Sequence, residues 1–151
     1  MTGSIIKTID IAVPIERVWD ALTDHVQFGT WFRVALDQPF AIGQPSTGHM
    51  TYPGYEAYRW QARVVAIEPM TRFAYEWPAT GGDKALMESG VRVPEWTLVE
   101  FVLEPIDGGT RLTVTESGFD AVPEPRRTNV MRDNDGGWAE QVKNIRDHVT
   151  G

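Results

Sequence analysis

Glu116 is the residue here whose type and setting most invite a chemical role. It ends the run Leu112-Thr113-Val114-Thr115-Glu116, in which strand alternation puts residues 112, 114 and 116 on one face. Leu112 and Val114 mark that face as the inner one, where a carboxylate is costly unless it is hydrogen-bonded or paired. Such a group can anchor a ligand, or serve as a general acid or base, which makes Glu116 the one weak catalytic candidate. Two plainer readings stand beside these. Parity can drift before Ser117-Gly118, or Glu116 can simply accept hydrogen bonds from an indole or a tyrosine hydroxyl.

The second group is aromatic. Alternation and helical spacing bring Tyr52, Tyr58, Trp60, Tyr75, Trp77, Phe101 and Trp138 to one face, and Trp31 joins them from a short helical stretch. Aromatic residues dominate ordinary cores. A core built only for stability favours Leu, Ile and Val, however, so this set is read as lining a cavity for a small apolar or aromatic molecule. Met131 and Asn134 share the helical face of Trp138, with Arg127 one turn earlier, and add a partly polar wall. The expected ligand-binding residues are thus Trp31, Tyr52, Tyr58, Trp60, Tyr75, Trp77, Phe101, Glu116, Met131, Asn134 and Trp138.

Other chemistry finds no support. His25, His49 and His148 lie on different elements without metal-ligand spacing, and there is no cysteine. No HExxH, EF-hand, Walker or Gly-x-Ser-x-Gly sequence occurs. No metal and no cofactor are expected.

These residues need elements to position them. Residues 4–13 alternate around Ile5, Ile9 and Ile11 as a strand, and Pro14 opens a short helix carrying Val18, Trp19 and Leu22. A second short helix spans residues 25–32. Strands are expected over residues 34–40, 48–53, 55–68, 72–77, 96–105 and 110–117. Residues 43–48 read as a loop, Pro53-Gly54 as a tight turn and Asp107-Gly108-Gly109 as a hairpin turn. Residues 78–95, with Gly81-Gly82 and Gly90, break the pattern and read as a long binding loop or lid. The C-terminal stretch is one long helix with Trp138, Val142, Ile145 and Val149 on its apolar stripe. Gly136-Gly137 costs it about 1 kcal/mol per glycine relative to Ala, which implies a kink or a close backbone approach. Its half before these glycines is the more polar and is assigned to the cavity wall, the half after them to the core.

At 151 residues the chain is expected to form a single domain, residues 1–151. A net charge of −7, with Lys and Arg scattered, argues against nucleic acid and against anionic membranes. No stretch reaches the length of a membrane span or a signal-peptide core, so a cytoplasmic location is expected. The partner is then a small molecule, and the chain a monomer or a homodimer.

Several motifs, in order, carry a resemblance. They are Val13-Pro14-Ile15-Glu16-Arg17-Val18-Trp19-Asp20-Ala21-Leu22-Thr23-Asp24, Trp31-Phe32, Val64-Val65-Ala66-Ile67-Glu68-Pro69, Val99-Glu100-Phe101-Val102-Leu103-Glu104-Pro105, Gly109-Thr110-Arg111-Leu112-Thr113-Val114, Glu116-Ser117-Gly118-Phe119 and Gly137-Trp138. Together the chain resembles the helix-grip (START/Bet v 1-like, SRPBCC) superfamily. Within it, the chain is most similar to the bacterial family related to the C-terminal domain of the heat-shock-protein-90 ATPase activator. The resemblance implies an α+β fold, a seven-stranded curved antiparallel sheet gripping a long C-terminal helix, with two short helices after the first strand and a cavity between sheet and helix. It leaves function open, because the same fold serves binding proteins and enzymes.

Three readings follow. The first is a small-molecule-binding protein holding an apolar or aromatic ligand. The second is a cofactor-free cyclase- or hydrolase-type enzyme using the same cavity and Glu116, and the balance leans away from it. The third is a co-chaperone-like interaction module. A cavity of several hundred cubic ångströms is required by the first two, and a filled interior excludes them.

Overall fold

A computed structural model describes residues 3–81 and 93–151. Seven strands, β1 (Ile5–Ile11), β2 (Val34–Leu36), β3 (Pro45–Met50), β4 (Arg59–Glu68), β5 (Arg72–Pro78), β6 (Trp96–Ile106) and β7 (Gly109–Ser117), form one antiparallel sheet in the order β1-β7-β6-β5-β4-β3-β2. Helices α1 (Ile15–Thr23) and α2 (His25–Phe32) link β1 to β2, and α3 (Glu124–Thr150) ends the chain. The α+β architecture expected from the sequence is therefore the one observed. The expected lid within residues 78–95 lies for the most part outside the described residues.

Helix α3 crosses the covered face of the sheet. Its buried residues Val130, Trp138, Val142, Ile145 and Val149 form one stripe, and the core continues through Phe28, Phe73, Phe101, Val99 and Leu112. Each such side chain removed from water stabilises the fold by about 1.5–3 kcal/mol before entropy is counted. Pro123 caps the helix and Pro125 stands in its first turn, where a missing N–H costs nothing. The helix runs unbroken through Gly136-Gly137. A Cβ added at either glycine would meet nothing within 4 Å, so close backbone approach is not what keeps them small.

Three local expectations need correcting on the β2–β3–β4 side. Strand β2 ends at Leu36 rather than at residue 40, just before Asp37-Gln38-Pro39, and Phe40 returns from the loop to pack on Phe28 and Phe73. Residues 45–50, read in part as loop, form β3, in which Gly48 lets the backbone of β2 approach: a Cβ there would collide with the Ala35 carbonyl. Its Pro, Ser, Thr and Gly content hides the period of two. Finally, residues 51–58 form a reversing connection instead of extending the flanking strands. Tyr55 N–H donates to the Tyr52 carbonyl (2.9 Å) around Pro53-Gly54, with Gly54 at φ 91°, the left-handed geometry that a type II turn requires of its third residue.

Strand β4 also carries a register shift between Val64 and Ala66. Val64 pairs with Tyr75 and Ile67 with Phe73, so two residues three positions apart meet the same face of β5 across the irregularity.

Candidate functional site

Glu116 stands at the end of β7, opposite Val99 of β6, and is completely buried. Four side chains donate hydrogen bonds to its carboxylate. Trp77 Nε1 (2.9 Å) and Thr97 Oγ1 (2.6 Å) reach Oε2, and Trp138 Nε1 (2.8 Å) reaches Oε1. Asn134 Nδ2 spans both oxygens, at 3.1 and 3.0 Å. Among the described residues no basic side chain forms an ion pair with it. The set consists of donors, which suits an acceptor-only carboxylate, and it pins α3 to β5, β6 and β7 at one point.

In front of this carboxylate lies a cavity of about 610 Å³. Its wall runs from Phe32 at the end of α2 through Met50 of β3, Trp60 of β4 and Trp77 of β5 to Asn134, Gly137, Trp138 and Gln141 of α3. Phe32, Trp60, Trp77 and Trp138 touch ring to ring, with centroids 5.3 to 6.2 Å apart. Asp37, Thr47, Thr80 and Asp133 add polar atoms, and Arg59 and Gln61 line it as exposed residues. On the pleat Arg59 and Gln61 alternate with Trp60 and so take the opposite face of β4, the face shared by Thr47, the cross-strand partner of Gln61, and by Asp37 bonded to it.

Arg59 and Gln61 apart, the described polar side chains of this wall that can donate already do so. Trp60 Nε1 bonds to Ser46 Oγ (2.9 Å), Trp77, Trp138 and Asn134 to Glu116, Gln141 Nε2 to the Phe32 carbonyl (3.3 Å), Thr47 Oγ1 to Asp37 Oδ2 (2.8 Å) and Thr80 Oγ1 to the Gly81 carbonyl (3.4 Å). Among the described residues around the rings, what remains toward the cavity is ring surface, the Met50 thioether and acceptor oxygens.

The expected site residues thus separate into groups. Trp60, Trp77, Asn134 and Trp138 line the cavity; Glu116 stands behind three of them and lines nothing. Trp31, Tyr75 and Phe101 are core. Trp31 donates to the Ala21 carbonyl (2.8 Å), and Tyr75 and Phe101 lie among packed rings. Burial pushes the Tyr75 hydroxyl well above the usual phenol range, with the Glu116 charge adding to it. Met131 packs against the core rather than the cavity. Arg127 turns back to the Val122 and Asp120 carbonyls. Tyr52 and Tyr58 are off the site because residues 51–58 turn. Tyr58 is buried against Tyr55, and Tyr52 is half exposed under the Arg33 guanidinium. Phe32, Met50, Gly137 and Gln141 were missed. Gln141 is legible in retrospect, seven residues after Asn134 and three after Trp138 on one helical face.

Among the described residues no group of three or more His, Cys, Asp or Glu is placed to hold a metal ion, and no helix is long and apolar enough to cross a membrane.

Sheet, helix and the cavity between them together define a helix-grip protein. The chain belongs to the family of activator of Hsp90 ATPase homolog 1-like proteins, whose family model matches residues 12–150. Solved structures share the fold at low identity. DynU16, from the dynemicin biosynthetic locus, matches with a TM-score of 0.75 at 19% identity, over 99% of this chain and 48% of its own, so this chain spans about half its length. MLL2253 from Mesorhizobium loti matches at 0.75 and 21% identity, over 97% and 96% of the two chains. The Aha1 dimer from Colwellia psychrerythraea matches at 0.67 and 18%, over 95% and 93%. No curated protein matches the chain.

Proposed function

We propose that this protein binds a small molecule with an apolar or aromatic body in the cavity between sheet and α3. The observation that carries the reading is the wall itself. Its volume of about 610 Å³ suits an organic molecule of ordinary size, and four contacting aromatic side chains present ring surface to it. The three indoles have turned their N–H groups away, so their contribution to a ligand is stacking and apolar contact. Glu116 holds two of these rings and Asn134 in place and does not touch the cavity, which favours binding over acid–base chemistry at that carboxylate.

Three wall tryptophans supply the test. Titration with naphthalene-type probes is expected to change tryptophan emission saturably at one site per chain, and Gly137→Leu, which fills the cavity from α3, is expected to abolish the change. Saturable binding that survives Gly137→Leu sinks the reading.

Family membership supports a second reading, a co-chaperone-like module acting on a protein partner. It is tested by adding the protein to an Hsp90-type ATPase, where acceleration of hydrolysis is the expected result. The Aha1 neighbour is a dimer, which favours a homodimer as the state to look for.

A further inference from the structure

Resting on the small-molecule reading, we infer that the ligand is an organic cation: an amine or quaternary ammonium group on an apolar, ring-sized body. Three observations meet at this point. The first is the donor census. Among the described residues around the rings, the indoles and the amides of Asn134 and Gln141 all donate elsewhere, so a purely accepting ligand meets spent donors there, whereas a ligand that donates finds acceptor oxygens. Asn134 commits its amide nitrogen to Glu116 and keeps Oδ1 as an acceptor.

The second is charge. Glu116 is a buried carboxylate held by neutral donors alone, directly behind the rings of Trp77 and Trp138. Its charge is weakly screened in a buried setting. Of the wall's other carboxylates, Asp37 is bonded to Thr47 on the face that Gln61 and Arg59 take, and Asp133 stands beside Arg132 at 3.6 Å, so neither adds to this charge. Arg59, the one basic residue among the described lining, takes that same face of β4. Among the described residues, the carboxylate nearest the faces of these indoles is therefore Glu116.

The third is the rings. An indole attracts a cation to its face through the ring quadrupole. Donating N–H to a carboxylate raises the electron density of the ring and strengthens that attraction. Trp77 and Trp138 both do so, to the same carboxylate. Rings, charge and spent donors each select the same ligand chemistry.

The test uses three probes of nearly one shape: 1-naphthylmethylamine as the cation, 1-naphthylmethanol as the neutral and 1-naphthoate as the anion. Affinities are measured by calorimetry on the full chain at neutral pH. The expected order is cation, then neutral, then anion, with about tenfold or more between the first and last. Equal affinities, or the anion tightest, overturn the inference and leave the cavity reading standing. No binding by any probe removes both. Glu116→Gln, of equal size and no charge, is expected to narrow the cation-to-neutral ratio at least threefold, and an unchanged ratio in folded Glu116→Gln counts against the inference. Should that variant not fold, Trp77→Phe keeps a ring while removing one N–H to Glu116, and the same narrowing is expected.

Discussion

Buried carboxylates are rare because they must be paid for in hydrogen bonds, and Glu116 collects five from four donors. Replacing it by Gln puts an NH₂ group against donors that have no other acceptor, which costs about 1–3 kcal/mol for each pair left mismatched. Glu116→Gln is therefore expected to lower the unfolding free energy by at least about 1 kcal/mol in urea titrations, and an unchanged midpoint contradicts the geometry. His148 gives a separate prediction. Burial, then the neighbouring Arg17 charge, holds its pKa below the ordinary imidazole value of 6.5. A folded pKa below the unfolded one means the unfolded chain binds more protons as pH falls through 6.5. Stability contributed by neutral His148 is full above that value and is lost on acidification toward the folded pKa. His148→Gln is expected to flatten the urea midpoint between pH 7.5 and 5.5 relative to the parent, and equal slopes in the two proteins refute the assignment. At this scale the sequence was informative where parity is strict. Glu116 was placed inward from Leu112 and Val114 alone, and the plain reading, acceptance from indoles, is the contact observed. Its exact donors were not legible, because they come from β5, β6 and α3, and no local pattern encodes which distant side chains meet.

Elements divide along the same line. Those with apolar periodicity, α1, β6, β7 and the C-terminal half of α3, stand within a residue or two of where their patterns put them. The misplaced ones, β2 and β3, are short, and β3 is poor in apolar residues, so the turn at Pro53-Gly54 and the fit of Gly48 against Ala35 decide their limits. Tyr52 and Tyr58 fell out of the site with that turn. In α3 the two glycines had been given a kink or a tight contact to explain them. The structure supplies a different physical role for one of them: Gly137 lines the cavity, and neither glycine has a neighbour within 4 Å of a Cβ position. Gly137→Ala should stabilise the helix by about 1 kcal/mol, read as a higher urea midpoint, while taking only a methyl's volume from the cavity. Gly136→Leu, one residue away and off the lining, should leave naphthyl-probe affinity within about twofold while Gly137→Leu removes it. Equal losses in both leucine variants would place the effect in helix packing and not in the cavity.

The molecule as a whole is a sheet and a helix joined on one side by core and on the other by a cavity. Beyond Trp138 the stripe Val142, Ile145 and Val149 is buried, whereas Asp133, Asn134 and Gly137 face open volume. A ligand seated there touches β3, β4, β5 and α3 together, a surface that exists only in the folded chain. Its binding must then raise stability by mass action, by about 2.7 kcal/mol at a free concentration one hundred times Kd. For a chain of this size each kcal/mol moves the midpoint by about 2–4 °C, so saturating 1-naphthylmethylamine is expected to raise Tm by about 5–10 °C. Val142→Ala, which weakens the core side of α3 by about 1–3 kcal/mol, should lower the starting Tm and leave that increment in place, since Val142 is not part of the wall. A probe that saturates tryptophan emission without moving Tm would be bound as tightly by the unfolded chain, and the sheet-to-helix cavity would not be its site. An increment that vanishes in Val142→Ala would instead show that both halves of α3 respond as one body, with the cavity shaped by the core beneath it.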